Sequence, residues 1–317
     1  MKKTILFLLI SIHSFSQKYD LGILNGRIVD GNSNPWYLGD VGVKNGKIAF
    51  IGKISPSDCK ETLDAKRQVV CPGFIDVHTH IETSILKLPM AESFIFDGVT
   101  SLITGNCGSS EVDLKKFFDT LITNGITPNV ASLIGHNSVR RAVMKNVFRD
   151  PTASEQQKME ALVAKGMKDG AVGLATGLIY IPGTYSKTAE VVGLAKVASQ
   201  YGGVYASHIR DEGNKVYDAI NEAINIGREA KIPVEISHFK ISSKKLWGKS
   251  YETIGLVESA RLEGIDVNVD QYPYTASSTN MGTMIPSWVF ADDDSLVQFR
   301  LTDLSERAKI KKEMLQG

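Results

Sequence analysis

The chain predicts an α/β fold, a TIM-like (β/α)8 barrel with seven of its eight strands present, preceded by a small β domain. Three observations carry this. From about residue 69 onward, apolar runs of strand length alternate with helix-period segments, the pattern of a parallel sheet wrapped by helices. The expected strand ends are His80, Cys107, His136, Gly177, His208, His238 and Tyr272, with gaps of 27, 29, 41, 31, 30 and 34 residues. A barrel of about 250 residues in eight units repeats at about 31. Reactive side chains stand at nearly every one of these ends, the end at which such barrels carry their sites. An open doubly wound sheet is the competing fold, and it leaves that regularity unexplained.

The elements follow in chain order. Lys2 and Lys3 precede the apolar run 4–12, and Ser14 and Ser16 sit where a signal peptidase cuts before Gln17. Residues 1–16 are therefore expected to be an export signal, placing the protein in the periplasm or outside the cell. A membrane span needs about 20 apolar residues, so none is expected. Residues 17–68 read as the small β domain, with Asn25-Gly26 and Asn45-Gly46 each expected to turn a type I′ hairpin. The barrel strands are expected at 69–77, 99–104, 129–134, 170–175, 203–207, 234–237 and 265–269, with the barrel ending near residue 283. Thr152 and Glu155 form a capping-box pattern before a helix, and Val216, Ile220, Ala223 and Ile224 mark the buried stripe of another.

Composition narrows the chemistry. With 317 residues, 43% hydrophobic, 22% charged and a net charge of +1, nothing favours nucleic acid or an anionic membrane as partner. A small molecule is the expected ligand, and oligomeric state is not legible. Only Cys59, Cys71 and Cys107 are present, too few for a disulfide framework and odd in number. Cys59 and Cys71 fall outside the barrel mouth and are assigned no chemistry.

The strand ends carry the candidate metal ligands. His78 and His80 are two apart and so share a side of their strand. His208 and His238 close Val-Tyr-Ala-Ser-His and Val-Glu-Ile-Ser-His. One such histidine alone reads as a hydrogen-bonded core residue; four of the six at the tops of three strands are harder to assign to packing. Cys107, in Gly-Asn-Cys-Gly, reads either as a buried thiol or as a thiolate ligand facing the same mouth. Imidazole with thiolate suits zinc.

The run Pro-Gly-Phe-Ile-Asp-Val-His-Thr-His80 resembles the first strand of the amidohydrolase superfamily. Gly-Asn-Cys107-Gly, Tyr-Ala-Ser-His208-Ile-Arg-Asp-Glu, Ile-Ser-His238-Phe-Lys240 and Asp-Gln-Tyr272-Pro-Tyr-Thr-Ala-Ser-Ser resemble the N-acyl-D-amino-acid deacylases, or D-aminoacylases. The resemblance implies one tight zinc site at Cys107, His208 and His238, and a weaker second site at His78 and His80. It implies carboxylate or oxyanion donors at Lys240, Tyr180 and Tyr272, and a sandwich-type small domain. His136 is expected to line the pocket without ligating. The fourth strand, Gly-Ala-Val-Gly-Leu-Ala-Thr-Gly, lacks the lysine that bridges two metals in other branches. The implied activity is hydrolysis of an N-acyl-D-amino acid.

The resemblance puts the general base on an Asp ending the eighth strand, and no such strand is evident. Residues 284–317 are expected to begin a lid insertion, with Asp303 and Glu306 opening a helix. Ile285–Asp292 follows Tyr274 too closely for a parallel crossover, so Asp292 is not expected to act as the base. The 317-residue chain is expected to be a poorly active fragment of a longer enzyme. The alternatives are an exported amidohydrolase acting on D-configured dipeptides or cyclic amides, and a non-catalytic metal-binding remnant.

Overall fold

The computed structural model describes residues 17–315; the export signal expected over residues 1–16 lies outside the described residues. The chain divides into two compact units, up to Gly73 and from Phe74 onward.

The first unit is a single five-stranded mixed sheet. Strands β1 (Tyr19–Ile28), β2 (Tyr37–Lys44), β3 (Lys47–Gly52) and β4 (Cys59–Asp64) run in the order β3-β2-β1-β4, and β5 (Val69–Val70) pairs with β1. Asn45-Gly46 turns the β2–β3 hairpin, with φ of 52° and 71° at its two residues, as a type I′ turn demands. Asn25-Gly26 does not. It lies inside β1 as a bulge, where the register with β2 shifts between Ile23 and Gly26. The buried carboxylate of Asp40 accepts the Asn25 N–H at 2.7 Å and the Ile54 N–H at 2.9 Å. That bond holds the left-handed Asn25 (φ 58°) in mid-strand, and the hairpin expected there is replaced by a bulge. No second layer of a sandwich is found among the described residues of this unit.

The second unit is α/β with parallel strands. Its strands are β6 (Phe74–Asp76), β7 (Val99–Thr104), β8 (Asn129–Ser132), β9 (Ile134–Gly135), β10 (Gly173–Gly177), β11 (Val204–His208), β12 (Val234–Ile236) and β13 (Val267–Val269). The expected strand at 69–77 is split, because Val69 and Val70 pair with Arg27 and Ile28 in the first unit. β8 and β9 are one path interrupted at Leu133, whose N–H bonds the Thr104 carbonyl at 2.8 Å. The strands therefore follow one another spatially in chain order, with every pair parallel. A doubly wound sheet reverses that order partway; this one does not. No pairing joins β6 to β13 among the described residues.

Helices separate the strands: α1 (Ser84–Lys87), α2 (Glu92–Phe96), α3 (Leu114–Asn124), α4 (His136–Met144), α5 (Ala153–Lys168), α6 (Thr188–Gln200), α7 (Val216–Ala230) and α8 (Ser250–Leu262). Thr152 and Glu155 close a reciprocal capping box on α5. Val216, Ile220, Ala223 and Ile224 are buried along α7. The main core lies between strands and helices; Leu174, Tyr205, Val234, Ile236 and Val267 meet Met159, Leu194 and Ile220 there. A smaller apolar cluster of Leu133, Ala175 and Ala206 is separate from it. After β13, residues 281–290 form two short 3-10 turns rather than a strand. They lead into α9 (Asp294–Thr302) and α10 (Leu304–Met314), the latter capped by the Asp303 side chain.

Candidate metal centre at the strand ends

Four parallel strands, β6, β7, β11 and β12, deliver the donors at or just beyond their ends. His208 is the last residue of β11, and His238 follows β12 with φ of 38°. Cys107 leaves β7 in a tight turn with φ of 52°. That turn requires glycine on both sides of its contact with β10. A Cβ at Gly108 would collide with the Asn137 amide, and one at Gly177 with the Cys107 carbonyl. His78 leaves β6, its Nδ1 placed 3.0 Å from the Asp270 carboxylate.

The result is a thiol facing three imidazole nitrogens. Cys107 Sγ lies 3.4 Å from His78 Nε2, 3.6 Å from His208 Nδ1 and 3.8 Å from His238 Nε2. A tetrahedral zinc ion with Zn–S about 2.3 Å and Zn–N about 2.0–2.1 Å sets sulfur and nitrogen about 3.6 Å apart. The donor types suit that ion and the three sulfur–nitrogen distances lie close to that spacing, although the four donors do not gather into one group. His78, Cys107 and His238 form one group of donor atoms within 4.8 Å of one another, and His208, Glu212 and His238 form a second. His80 joins neither; its ring centroid is 5.5 Å from that of His78, and it lines the adjoining cavity.

The electrostatics are those of a site organised around a cation. Burial, reinforced by Asp270 and Glu212, pushes the Cys107 thiol up to about 12, so by itself it is neutral; a bound cation would deprotonate it. Burial brings His208 down to about 3, leaving its nitrogens free of a second proton. Burial would raise the Glu212 carboxyl, but the hydrogen bond from His238 and the neighbouring imidazoles and Lys240 outweigh it and bring it to about 2.

Glu212 and Asp270 were not singled out by the sequence reasoning. Glu212 Oε1 lies 2.7 Å from His238 Nδ1 and 2.6 Å from Lys240 Nζ. Asp270 bonds His78 Nδ1 through one oxygen and accepts the His238 N–H at 2.5 Å through the other. Each carboxylate fixes the outer nitrogen of an imidazole whose Nε2 faces the thiol, as partners of metal-binding histidines do. Both stood inside the quoted motifs. A rule that asked for a carboxylate within reach of each strand-end histidine would have found them. Glu235, on β12, is pushed up to about 7 by burial first and Asp270 second, but it does not line the cavity.

The remaining candidates are placed as follows. Tyr180 packs edge-on against His208, with centroids 4.7 Å apart, and its hydroxyl meets Thr279 Oγ1 at 3.0 Å. Lys240 Nζ lies 5.6 Å from the centre of the Tyr272 ring, whose hydroxyl is buried without a hydrogen-bond partner. His136 does not line the pocket as expected. It opens α4 and is fully buried, with Nε2 2.8 Å from Glu190 Oε1, while Arg140 takes the other carboxylate oxygen. That ion pair behind the sheet draws it away from the mouth. A cavity of about 1040 Å³ opens beside the cluster, lined by His80, Cys107, Tyr180 and Arg141 on one side and by residues of the 280–290 segment on the other. No helix among the described residues is long and apolar enough to cross a membrane.

Comparison with known proteins gives the site a context. Residues 61–285 match the model of the amidohydrolase family. N-acyl-D-glutamate deacylase of Alcaligenes xylosoxydans xylosoxydans is 37% identical over 285 residues, covering 83% of this chain and 58% of that protein. D-aminoacylase of the same organism is 37% identical over 289 residues, covering 84% of this chain and 60% of that protein. The structure of N-acyl-D-glutamate deacylase from Bordetella bronchiseptica, complexed with zinc and a phosphonate mimic of the tetrahedral intermediate, superposes with a TM-score of 0.79. Its sequence identity is 35%, and the match covers 81% of this chain and 59% of that one. The chain thus spans about 58–60% of the length of these relatives.

Proposed function

Since the chain belongs to the amidohydrolase family, we propose that it is a zinc-dependent hydrolase cleaving the amide bond of N-acyl-D-amino acids. One observation supports this most directly: the Cys107 thiol lies 3.6 Å from His208 Nδ1 and 3.8 Å from His238 Nε2, close to the sulfur–nitrogen spacing of a zinc site. On this reading Cys107, His208 and His238 hold the tight ion, and His78 with His80 serve a weaker second position. The seven parallel strands are consecutive strands of a TIM-like barrel, and the first unit is part of a sandwich-type domain. The protein is exported through residues 1–16.

Zinc, when bound, supplies an activated water at neutral pH and polarises the amide carbonyl. The chain's own residues do the rest. Glu212 and Asp270 hold His238 and His78 by their outer nitrogens. Tyr180, packed against His208, lines the cavity, while Lys240, held by Glu212, and Tyr272 beside it stand outside its lining.

No general base is assigned among the described residues. Asp270 and Glu212 are each engaged by a histidine, and Asp292 pairs with Arg300 at 3.2 Å. Slow hydrolysis with intact metal binding is therefore expected of the 317-residue chain. The same engagement favours the rival reading, a metal-binding protein without hydrolase activity. Metal analysis of the purified protein against Cys107→Ala tests the site; loss of zinc in the variant is expected, and equal zinc content in both would remove the assignment. Release of free D-methionine from N-acetyl-D-methionine above the buffer rate separates the hydrolase from its rival.

A further inference from the structure

An N-acyl amino acid brings a carboxylate into the cavity, and the question is which cation meets it. Lys240, the cation favoured by the sequence, is already engaged by two protein acceptors, Glu212 Oε1 at 2.6 Å and the His238 carbonyl at 3.3 Å. It does not line the large cavity. Arg141 does, as the sole Lys or Arg among the lining residues. Its guanidinium donates once, from Nη2 to the Ile181 carbonyl at 2.9 Å, which leaves most of its five N–H groups unengaged. It has no ion-pair partner among the described residues. Glu313, the carboxylate among the lining residues, accepts from Trp288 Nε1 at 3.0 Å instead.

The Ile181 bond also matters for geometry. It ties the guanidinium to the loop that carries Tyr180, which lines the same cavity. A planar guanidinium held this way offers the paired donors that fit a carboxylate in two-point contact.

Resting on the deacylase reading, we propose that Arg141 is the anion-recognising residue of this cavity and binds a carboxylate of the substrate. Two groups share that chemistry: the α-carboxylate, and the side-chain carboxylate of an acidic substrate such as N-acyl-D-glutamate or N-acyl-D-aspartate.

The test measures binding to the zinc-loaded full chain by calorimetry, with glutarate, N-acetyl-D-glutamate and N-acetyl-D-methionine as probes. R141Q keeps a donor for the Ile181 carbonyl and removes the charge; R141K keeps the charge and loses the fork. Glutarate binding is expected to weaken roughly tenfold or more in R141Q and to recover in part in R141K. Weakening for N-acetyl-D-glutamate alone identifies the side-chain carboxylate; equal weakening for both amino acids identifies the α-carboxylate. Glutarate affinity within twofold of wild type in R141Q, or no glutarate binding by the wild type, overturns the proposal. Glutarate binding that depends on Arg141, in a protein that hydrolyses no N-acyl amino acid, would refute the deacylase reading and leave Arg141 as a carboxylate-binding residue.

Discussion

Glu212 shows what a single carboxylate does when several groups lean on it. Its Oε1 is shared by His238 Nδ1 and Lys240 Nζ and lies 4.0 Å from His208 Nε2. Replacing it by Gln keeps the shape and removes the charge that orients His238. Partners of this kind are worth roughly 10–100-fold in metal affinity, so competition with a chromophoric chelator is expected to show zinc binding weakened by that factor in E212Q. The buried pair behind the sheet makes a different prediction. Burial opposes ionisation of Glu190, but the bonds from His136 and Arg140 win and hold its carboxyl below the ordinary 4.5. A depressed carboxyl contributes stability that is complete above about 4.5 and is lost as pH falls through the lowered value. Urea titrations of the wild type should show the midpoint falling on acidification below that point. Glu190→Gln should lose about 3–5 kcal/mol at neutral pH and show less further loss in acid. The histidines and Cys107 were legible as candidates because strand periodicity places them; Glu212 and Asp270 were not, because a carboxylate beside a histidine becomes visible only once two strand ends are brought together.

At the level of elements, two identical dipeptides behaved differently. Asn45-Gly46 turns a hairpin and Asn25-Gly26 bulges a continuous strand. The dipeptide states only that positive φ is tolerated; the Asp40 carboxylate, fifteen residues away, decides its use. The capping box on α5 and the stripe on α7 were readable because both are local. The split of 69–77 was not, because pairing with β1 is set by residues forty positions earlier. The close approach of the Cys107 turn to β10 gives a prediction at this scale. Gly177→Ala drives a Cβ into the Cys107 carbonyl, and overpacking of this kind costs about 1–3 kcal/mol. A thermal melt should fall by roughly 2–4 °C per kcal/mol for a unit of this size, with zinc content falling alongside. An unchanged melt and zinc content would show that the two turns do not constrain each other.

The second unit as a whole is a run of parallel strands in chain order, as alternating strand and helix patterns in the sequence led one to expect. Its outer strands are unpaired on one side among the described residues, and apolar Phe74, Ile75 and Val269 are exposed there, Ile75 to 63%. Open edges of this composition invite strand-to-strand association. Sedimentation velocity is expected to show concentration-dependent self-association that Ile75→Lys reduces. The central claim concerns the strand ends, where imidazoles and one thiolate from separate strands are proposed to share a cation. X-ray absorption at the zinc edge of the loaded protein tests it directly. The account predicts one sulfur at about 2.3 Å with nitrogen neighbours at about 2.0–2.1 Å. A first shell of oxygen and nitrogen alone, with no sulfur, would contradict it.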